Sequence, residues 1–477
     1  MPAARRHAAR YSGRMTALER LQAELGTDVS VDPLQLAAVR ADKSGWVAPG
    51  MPLAVVYATS VDQVQATLRI ATEFRVPVIT RGAGTGLAGG ACGIDGAIVL
   101  SVERMNRILS VRPEDELAVV EPGVLNGDLN LVLSAHGLWF APDPASRAIS
   151  SVGGNIATNA GGLLCAKYGV TREAVLALTV VLADGSVLKT GHSTVKGVTG
   201  YDLTALLTGS EGTLGVIVEA TVRARAITLG EAVTIGATFP DVALAAAAAA
   251  LVTAARLRPA IMELIDPVAL ALIVAHLGPH LSAGMPVGGA FLLVQTDGPT
   301  SQAEADQAVA VLRAAGGDVR VSTDAESADR LLAVRRAAHP ALAAHGDVLI
   351  EDVCVPRSRL AEMFERIAEI SARTGLPIPT VAHAGDGNLH PNFLIPFDSA
   401  RGGAQPVVPE QVWEAAGELF RAALELGGTL TGEHGVGVLK RRWLAEELGD
   451  TGFALQRRIK AVFDPLGILN PGTMFEP

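Results

Sequence analysis

The sequence predicts a multi-domain protein of mixed α and β structure, and three observations carry that prediction. At 477 residues the chain is too long for one hydrophobic core and should hold two or three domains. From about 50 to 226, β-rich runs alternate with glycine-rich connections and a few helical stretches. From about 229 strands and helices alternate over short links, the pattern of an α/β layer built around one sheet. With 49% of residues apolar and 18% charged, a core is easily built and global disorder is excluded.

Taken in order, the first strands read as PLAVVYA, PVITR, GAIVLSV, LAVVEPG, LALTVVLADGSVL and LGVIVEATVRAR. A helix over 61–74 begins at the capping residue Ser60. The second part reads strand VTIGATF, an alanine-rich helix over 242–255 capped by Asp241, strand AIMELID, strand LLVQTDG, a helix over 303–315 and strand DVRVST. A helix over 325–344, strand VLIEDVCVP and a helix over 357–374 follow, and the tail from Glu410 is mostly helical around the turn TGEHGVG. The alanine-rich run is short of the ~20 residues that span a membrane. The basic stretch before Met15 lacks the apolar segment of a secretory signal, which leaves Met15 as an alternative start. A formal charge of −10 argues against nucleic acid as a general partner. Cys92, Cys165 and Cys354 are widely spaced with no CxxC pair, which suggests a reducing, cytoplasmic setting.

Gly84-Thr85-Gly86-Leu87-Ala88-Gly89 follows the strand PVITR and matches GxGxxG, with Glu103 where a ribose-binding acid would sit. Too few residues separate Gly89 from GAIVLSV to hold a crossover helix, so the dinucleotide-fold reading fails. What remains is either a tight turn with glycines for geometry or a nest of backbone N–H groups suited to a pyrophosphate, with Arg81 and Thr85 as added donors. Two further segments rich in Gly, Ser, Thr and Asn, 142–163 and 207–217, fit a large cofactor lying along exposed backbone.

The chemistry-bearing residues lie further on. HAGDGNLHPN carries His383 and His390, and TGEHGVG carries Glu433 and His434, so three of only ten histidines fall in two short motifs. Two imidazoles and a carboxylate are ligands a borderline divalent cation prefers, with one imidazole left as a base. The plain alternative is a pair of hydrogen-bonded structural histidines. Strand spacing puts His383 and His390 on opposite faces unless Gly385 and Gly387 reshape the turn. Asp386 is a candidate ligand or, the favoured reading, a group that orients an imidazole from behind, and Lys440-Arg441-Arg442 is expected to be a solvated helix face or a weak docking patch.

PVITRGAGTGLAGGA, PDPAS, SVGGNIATNAGGLLCAKYGVTRE, GYDLTALLTGSEGTLGVI, HAGDGNLHPN, TGEHGVG and DPLGILNPG, in that order over about 48–475, closely resemble the FAD-linked D-2-hydroxyacid dehydrogenases of the vanillyl-alcohol-oxidase/PCMH superfamily. The resemblance implies an α+β protein: an N-terminal helical segment (1–47), a PCMH-type FAD-binding domain of two α/β subdomains (48–228), a substrate and metal domain with an antiparallel sheet (229–425), and a C-terminal helical segment packing back on the FAD domain (426–477). It implies that Arg81, Gly82, Ala83, Gly84, Thr85, Gly86 and Leu87 cradle the FAD pyrophosphate. It further implies that Pro142, Asp143, Ser146, Gly153, Gly154, Asn155, Thr158, Asn159, Gly162, Tyr168, Gly169, Glu211, Gly212 and Ile217 surround the flavin and adenine. His383, His390 and Glu433 match metal ligands (zinc, manganese or iron), His434 the catalytic base and Asn392 a substrate-side polar group. Arg335 matches the arginine that receives the substrate carboxylate, with Arg336 as the fallback register.

The implied activity is oxidation of a D-2-hydroxy acid to the 2-oxo acid. In hydroxyglutarate enzymes a lysine on the strand after the arginine helix meets the distal carboxylate. Here Ile350, Glu351 and Asp352 stand near that place, which tilts the substrate toward a D-lactate or glycolate-like monocarboxylate. No histidine in the glycine loop, and no cysteine beyond Cys92 or Cys165, offers a tether, so FAD is expected to be non-covalent. Electron acceptor (quinone, cytochrome, electron-transfer protein or oxygen), peripheral membrane contact and oligomeric state, a homodimer included, stay open. D-2-hydroxyglutarate dehydrogenase-like activity stays an alternative; from other classes, the alternatives are a metal-dependent hydrolase of a phosphorylated substrate and a non-catalytic flavin subunit of a larger complex.

Overall fold

Parallel pairing organises the first sheet, formed by β1 (Val29–Ser30), β2 (Ala54–Tyr57), β3 (Val78–Arg81) and β4 (Ile98–Ser101) in the order β1-β2-β4-β3. The computed structural model describes residues 15–281, 285, 288–397 and 407–476, without the side chains of His280 and Leu281. The basic stretch before Met15 lies outside them, and the sheets below are those of the described residues. Both β2 and β3 pair with β4 in parallel. The helix Val61–Phe74 makes the β2–β3 crossing, opened as expected by Ser60, whose Oγ accepts from Gln63 N–H. Its Val64, Leu68 and Ala71 pack against Val56, Ile98 and Leu100. No helix lies between β3 and β4, so the dinucleotide-type unit is absent there, and the glycine loop itself carries the chain across.

The second sheet is antiparallel, with β5 (Ile108–Arg112), β6 (Leu117–Val120), β8 (Val175–Val181), β9 (Val187–Gly191) and β10 (Val216–Arg223) in the order β5-β6-β10-β8-β9. β7 (Leu138–Trp139) and β11 (Arg225–Ala226) form a small ribbon. The third holds β12 (Val233–Phe239), β13 (Ile261–Ile265), β14 (Ala290–Thr296), β15 (Asp318–Val321), β16 (Asp347–Ile350), β18 (Thr380–His383) and β19 (Asn388–Ile395), in the order β15-β12-β14-β13-β18-β19-β16. The short β17 (Val353–Cys354) also joins β19, and every pairing in this sheet is antiparallel.

The alanine tract explains itself here. Ala245, Ala246, Ala248 and Ala249 are buried against Val294, Met262 and Phe364, because small side chains let the helix Val242–Ala254 sit close to the sheet. Asp241 caps it through Leu244 N–H. Two expected elements divide. The helix over 325–344 is Ala325–Arg336 followed by Ala338–Ala343, and VLIEDVCVP breaks between β16 and β17 at Glu351 and Asp352, both buried. The tail returns to the first sheet: Asn470 Nδ2 donates to Gly90 O and Glu211 O, and its Oδ1 accepts from Thr80 N–H. No helix among the described residues is long and apolar enough to cross a membrane.

Candidate active site

The β18–β19 hairpin resolves the spacing of the two histidines. His383 pairs with Asn388 and Val381 with His390, so the two imidazoles stand diagonally on one face of the sheet. Gly387 makes the tight turn: its φ is +92°, and a Cβ there would lie 2.1 Å from Val355 O. The rings meet edge to face with centroids 5.0 Å apart. Glu433 enters from the TGEHGVG turn, its Oε1 at 3.1 Å from His390 Nε2 and 3.5 Å from His383 Nε2. The three donor atoms lie within 4.8 Å of one another.

Burial works against charge on both His383 and Glu433, yet their mutual contact and Glu263 hold His383 well above its ordinary value. Glu433 is held well below its own by His383 and His390. Two imidazole nitrogens and a carboxylate oxygen converging in a buried, polarised cluster fit a zinc, manganese or iron ion.

Behind His383 stands a residue that sequence reasoning missed. Glu263 of β13 pairs in register with His383 of β18 and is fully buried. Its Oε1 lies 2.6 Å from His383 Nδ1, and its Oε2 accepts from Arg335 Nε at 2.6 Å. The available signal was a lone acid inside IMELI, a strand buried at every position. Arg335 therefore faces the cluster, while Arg336 is exposed beside Asp329. Asp386 does not take the orienting role expected of it: its Oδ1 accepts from Asn388 N–H at 3.1 Å and closes the turn. Asn392 Nδ2 donates to Pro379 O and His390 O.

The TGEHGVG turn is held from two sides. Asp352 Oδ2 accepts from Glu433 N–H and His434 N–H, each at 3.0 Å, and from Thr431 Oγ1 at 2.7 Å. From the second-sheet side, the buried Glu211 carboxylate accepts from Val436 N–H at 2.7 Å and Gly437 N–H at 2.8 Å. His434 stacks on His390 at 5.1 Å with Nε2 3.9 Å from Glu433 Oε1, and burial pushes its imidazole down to about 4.

Lys440 corrects the expectation of a solvated KRR face. It is 3% exposed, donates to Asp352 O and Leu430 O, and pairs with Glu351 at 3.4 Å. Arg441 donates to Gly472 O, and Arg442 lies over the Trp443 ring. Glu351 and Asp352 thus serve Lys440 and the turn, and their charge is no argument against a second substrate carboxylate.

The glycine segments converge as well. Arg81 turns back under the loop to donate to Ala91 O, where a Cβ at Gly84 (φ +66°) would strike its guanidinium; it braces the run Gly82 to Leu87. A Cβ at Gly82 would lie 2.5 Å from Ser151 Oγ, one at Gly153 2.4 Å from Pro122 Cβ, and one at Gly162 2.4 Å from Asp143 O. Asp143 Oδ1 accepts from Leu164 N–H, and burial raises its carboxyl to about 7. Thr158 Oγ1 donates to Gly154 O, and Asn126 Nδ2 to Pro142 O. Ser146 O accepts from Ile149 and Ser150 N–H. Asn159 ends the helix Val152–Thr158 with φ +52°. Gly212 packs on Asn470, and Ile217 sits within β10 opposite Val180. The hydroxyl of Tyr168, just before Gly169, donates to Asp297 Oδ2, and its ring meets the edge of Trp139.

Thr80 Oγ1, Ser150 Oγ and Asn155 Nδ2 are buried with no protein partner. Such atoms are costly unless something pairs with them, and on these segments they fit an extended polar cofactor such as FAD. A Cβ at Gly161 would lie 2.5 Å from Glu433 Oε2, so the glycine segment and the histidine cluster adjoin.

Residues 52–191 match the family model of the FAD binding domain, and residues 230–474 that of the C-terminal domain of FAD linked oxidases. The glycolate oxidase subunit GlcD of Bacillus subtilis is 40% identical over 89% of this chain and 89% of its own. A D-lactate dehydrogenase of Archaeoglobus fulgidus is 37% identical over 88% of this chain and 90% of its own. Among solved structures, p-cresol methylhydroxylase with substrate bound superposes with a TM-score of 0.76 at 19% identity, covering 96% of each chain, which shows a shared fold.

Proposed function

The chain belongs to the FAD-linked oxidase family and is an FAD-dependent oxidoreductase, and on that premise we propose that it oxidises a D-2-hydroxy acid to the 2-oxo acid with the help of a divalent cation. The observation that carries this reading is the convergence of His383, His390, Glu433 and His434 beside Gly161 of the FAD-side segment. A monocarboxylate of the glycolate or D-lactate kind is favoured, because the relatives bear those names. Cys92 is buried against Trp46 O and burial raises its thiol, which supports non-covalent FAD.

Bound FAD supplies the two-electron acceptor, and the cation supplies a Lewis acid for the substrate hydroxyl. His383 Nε2, His390 Nε2 and Glu433 would hold the cation. Arg335, with Nε spent on Glu263, keeps its two terminal nitrogens for the substrate carboxylate and fixes the face presented. His434 takes the hydroxyl proton. Asn392, its amide nitrogen held by backbone, offers its oxygen.

The test is anaerobic mixing of the flavoprotein with each enantiomer of lactate, 2-hydroxybutyrate and 2-hydroxyglutarate, and with glycolate, while flavin absorbance is followed. A D-monocarboxylate is expected to bleach the flavin, and chelation of divalent cations to stop it. Bleaching untouched by complete chelation would remove the cation from the reading. A second check comes from Gly161→Ala, whose Cβ would stand 3.1 Å from Glu433 Cβ as well as against its carboxylate. An ångström of misplacement costs about 10²-fold, so turnover should fall by that order at normal flavin content.

A further inference from the structure

We propose that Glu263 is a positioning residue that sets His383 for the cation and Arg335 for the substrate carboxylate at the same time. The inference rests on the reading given under Proposed function and deepens it, because it joins the two grips on the hydroxy acid through one side chain. Strand pairing places it there. Glu263 and His383 are directly opposed on β13 and β18, so their side chains rise from one face as neighbours. Arg335 reaches the same carboxylate from the helix Ala325–Arg336, a third element meeting at this point.

Only a carboxylate fits between these two groups. Nδ1 of His383, at 2.6 Å from Oε1, must carry its proton for that contact to be a hydrogen bond, and Nε of Arg335, at 2.6 Å from Oε2, is always a donor. The two donors meet different oxygens, so an amide in this place would turn its N–H₂ toward one of them. Proton placement at Nδ1 makes Nε2, 3.5 Å from Glu433 Oε1, the nitrogen that would give up its proton to a cation, which is the tautomer a metal ligand needs. Capture of Nε likewise leaves the terminal nitrogens of Arg335 as a fork matched to a carboxylate. The hydroxyl and carboxylate of a 2-hydroxy acid sit on adjacent carbons, so cation and guanidinium must keep a fixed separation. A single rigid strut, fully buried on a strand, keeps it.

Glu263→Gln offers one acceptor where two are needed and turns an amide N–H₂ toward a donor. In the holoenzyme its zinc or manganese affinity, read by competition with a chelating dye, is expected to fall about 10- to 100-fold, with the flavin spectrum unchanged as a control of folding. Saturating metal should then restore occupancy and leave the KM for the hydroxy acid raised about tenfold or more, because the Arg335 arm stays broken. If Glu263→Gln does not accumulate as a flavoprotein, Glu263→Asp, which keeps the charge but withdraws it, should show both losses at smaller size. Lower thermal stability with unchanged metal affinity and KM would mean a structural ion pair and overturn the proposal. His383→Ala separates the two levels: if it leaves metal affinity unchanged, the cation reading itself fails and the inference with it. If His383→Ala loses the metal while the Glu263 variants keep it, only the inference falls.

Discussion

His434→Ala is expected to yield a yellow protein with its FAD bound and its metal content intact, in which substrate bleaches the flavin about 10²- to 10⁴-fold more slowly. The loss should be confined to chemistry because the backbone at this position is fixed without the imidazole. Asp352 holds the N–H groups of Glu433 and His434, and Glu211 holds those of Val436 and Gly437. The side chain itself makes no hydrogen bond through Nδ1; it contributes a ring stacked on His390. Truncation therefore removes the proposed base and one ring contact and leaves the turn that presents Glu433. Single-turnover mixing under anaerobic conditions separates the cases. Slow bleaching at normal substrate affinity supports the base assignment. Bleaching at the original rate would reject it, and loss of the metal would show that the stacked ring supports His390 instead.

The motifs exposed the residues that gather in the candidate site, and much less of what holds them. His383, His390, Glu433 and His434 sit in short glycine-flanked runs whose composition has few other uses, so they were legible locally. Their arrangement was not, because the diagonal of His383 and His390 depends on hairpin register, and the turn at Gly387 decides that register. The role of Glu263, and that of Asp352, which the sequence set near the substrate, were hidden for a related reason. Each gains its role from neighbours distant in sequence, Glu263 from His383 and Arg335, Asp352 from the turn at 431–434. A lone acid in a buried strand signals that it has a partner, and not which one. The elements themselves followed from periodicity and caps, as at Ser60 and Asp241. They failed where a buried polar contact overrode the pattern: VLIEDVCVP reads as one strand until two acids turn inward.

Lys440 shows how far such a contact can reach, and replacing it should produce the largest stability loss. In KRRW the lysine looks like part of a solvated run, yet its ammonium is buried against Glu351 and the carbonyls of Asp352 and Leu430, with the Phe420 ring 5.3 Å away. Lys440→Met keeps the apolar stem and removes the charge. Glu351 is then left buried without its partner, a state that costs about 3–5 kcal/mol, and the two carbonyls lose a donor. Unfolding in denaturant should show a lower midpoint corresponding to that loss. Adding Glu351→Gln removes the orphaned charge as well, so the double variant should recover about 1–3 kcal/mol of it. Recovery stays partial because the carbonyls remain unfilled and the buried Asp352 carboxylate, 3.9 Å from the ammonium, has also lost a cation. Additive losses in the cycle would mean that Glu351 is compensated by some other group and that the pair does not act as one. A single-variant loss below about 1 kcal/mol, the range of surface ion pairs, would contradict the buried role altogether.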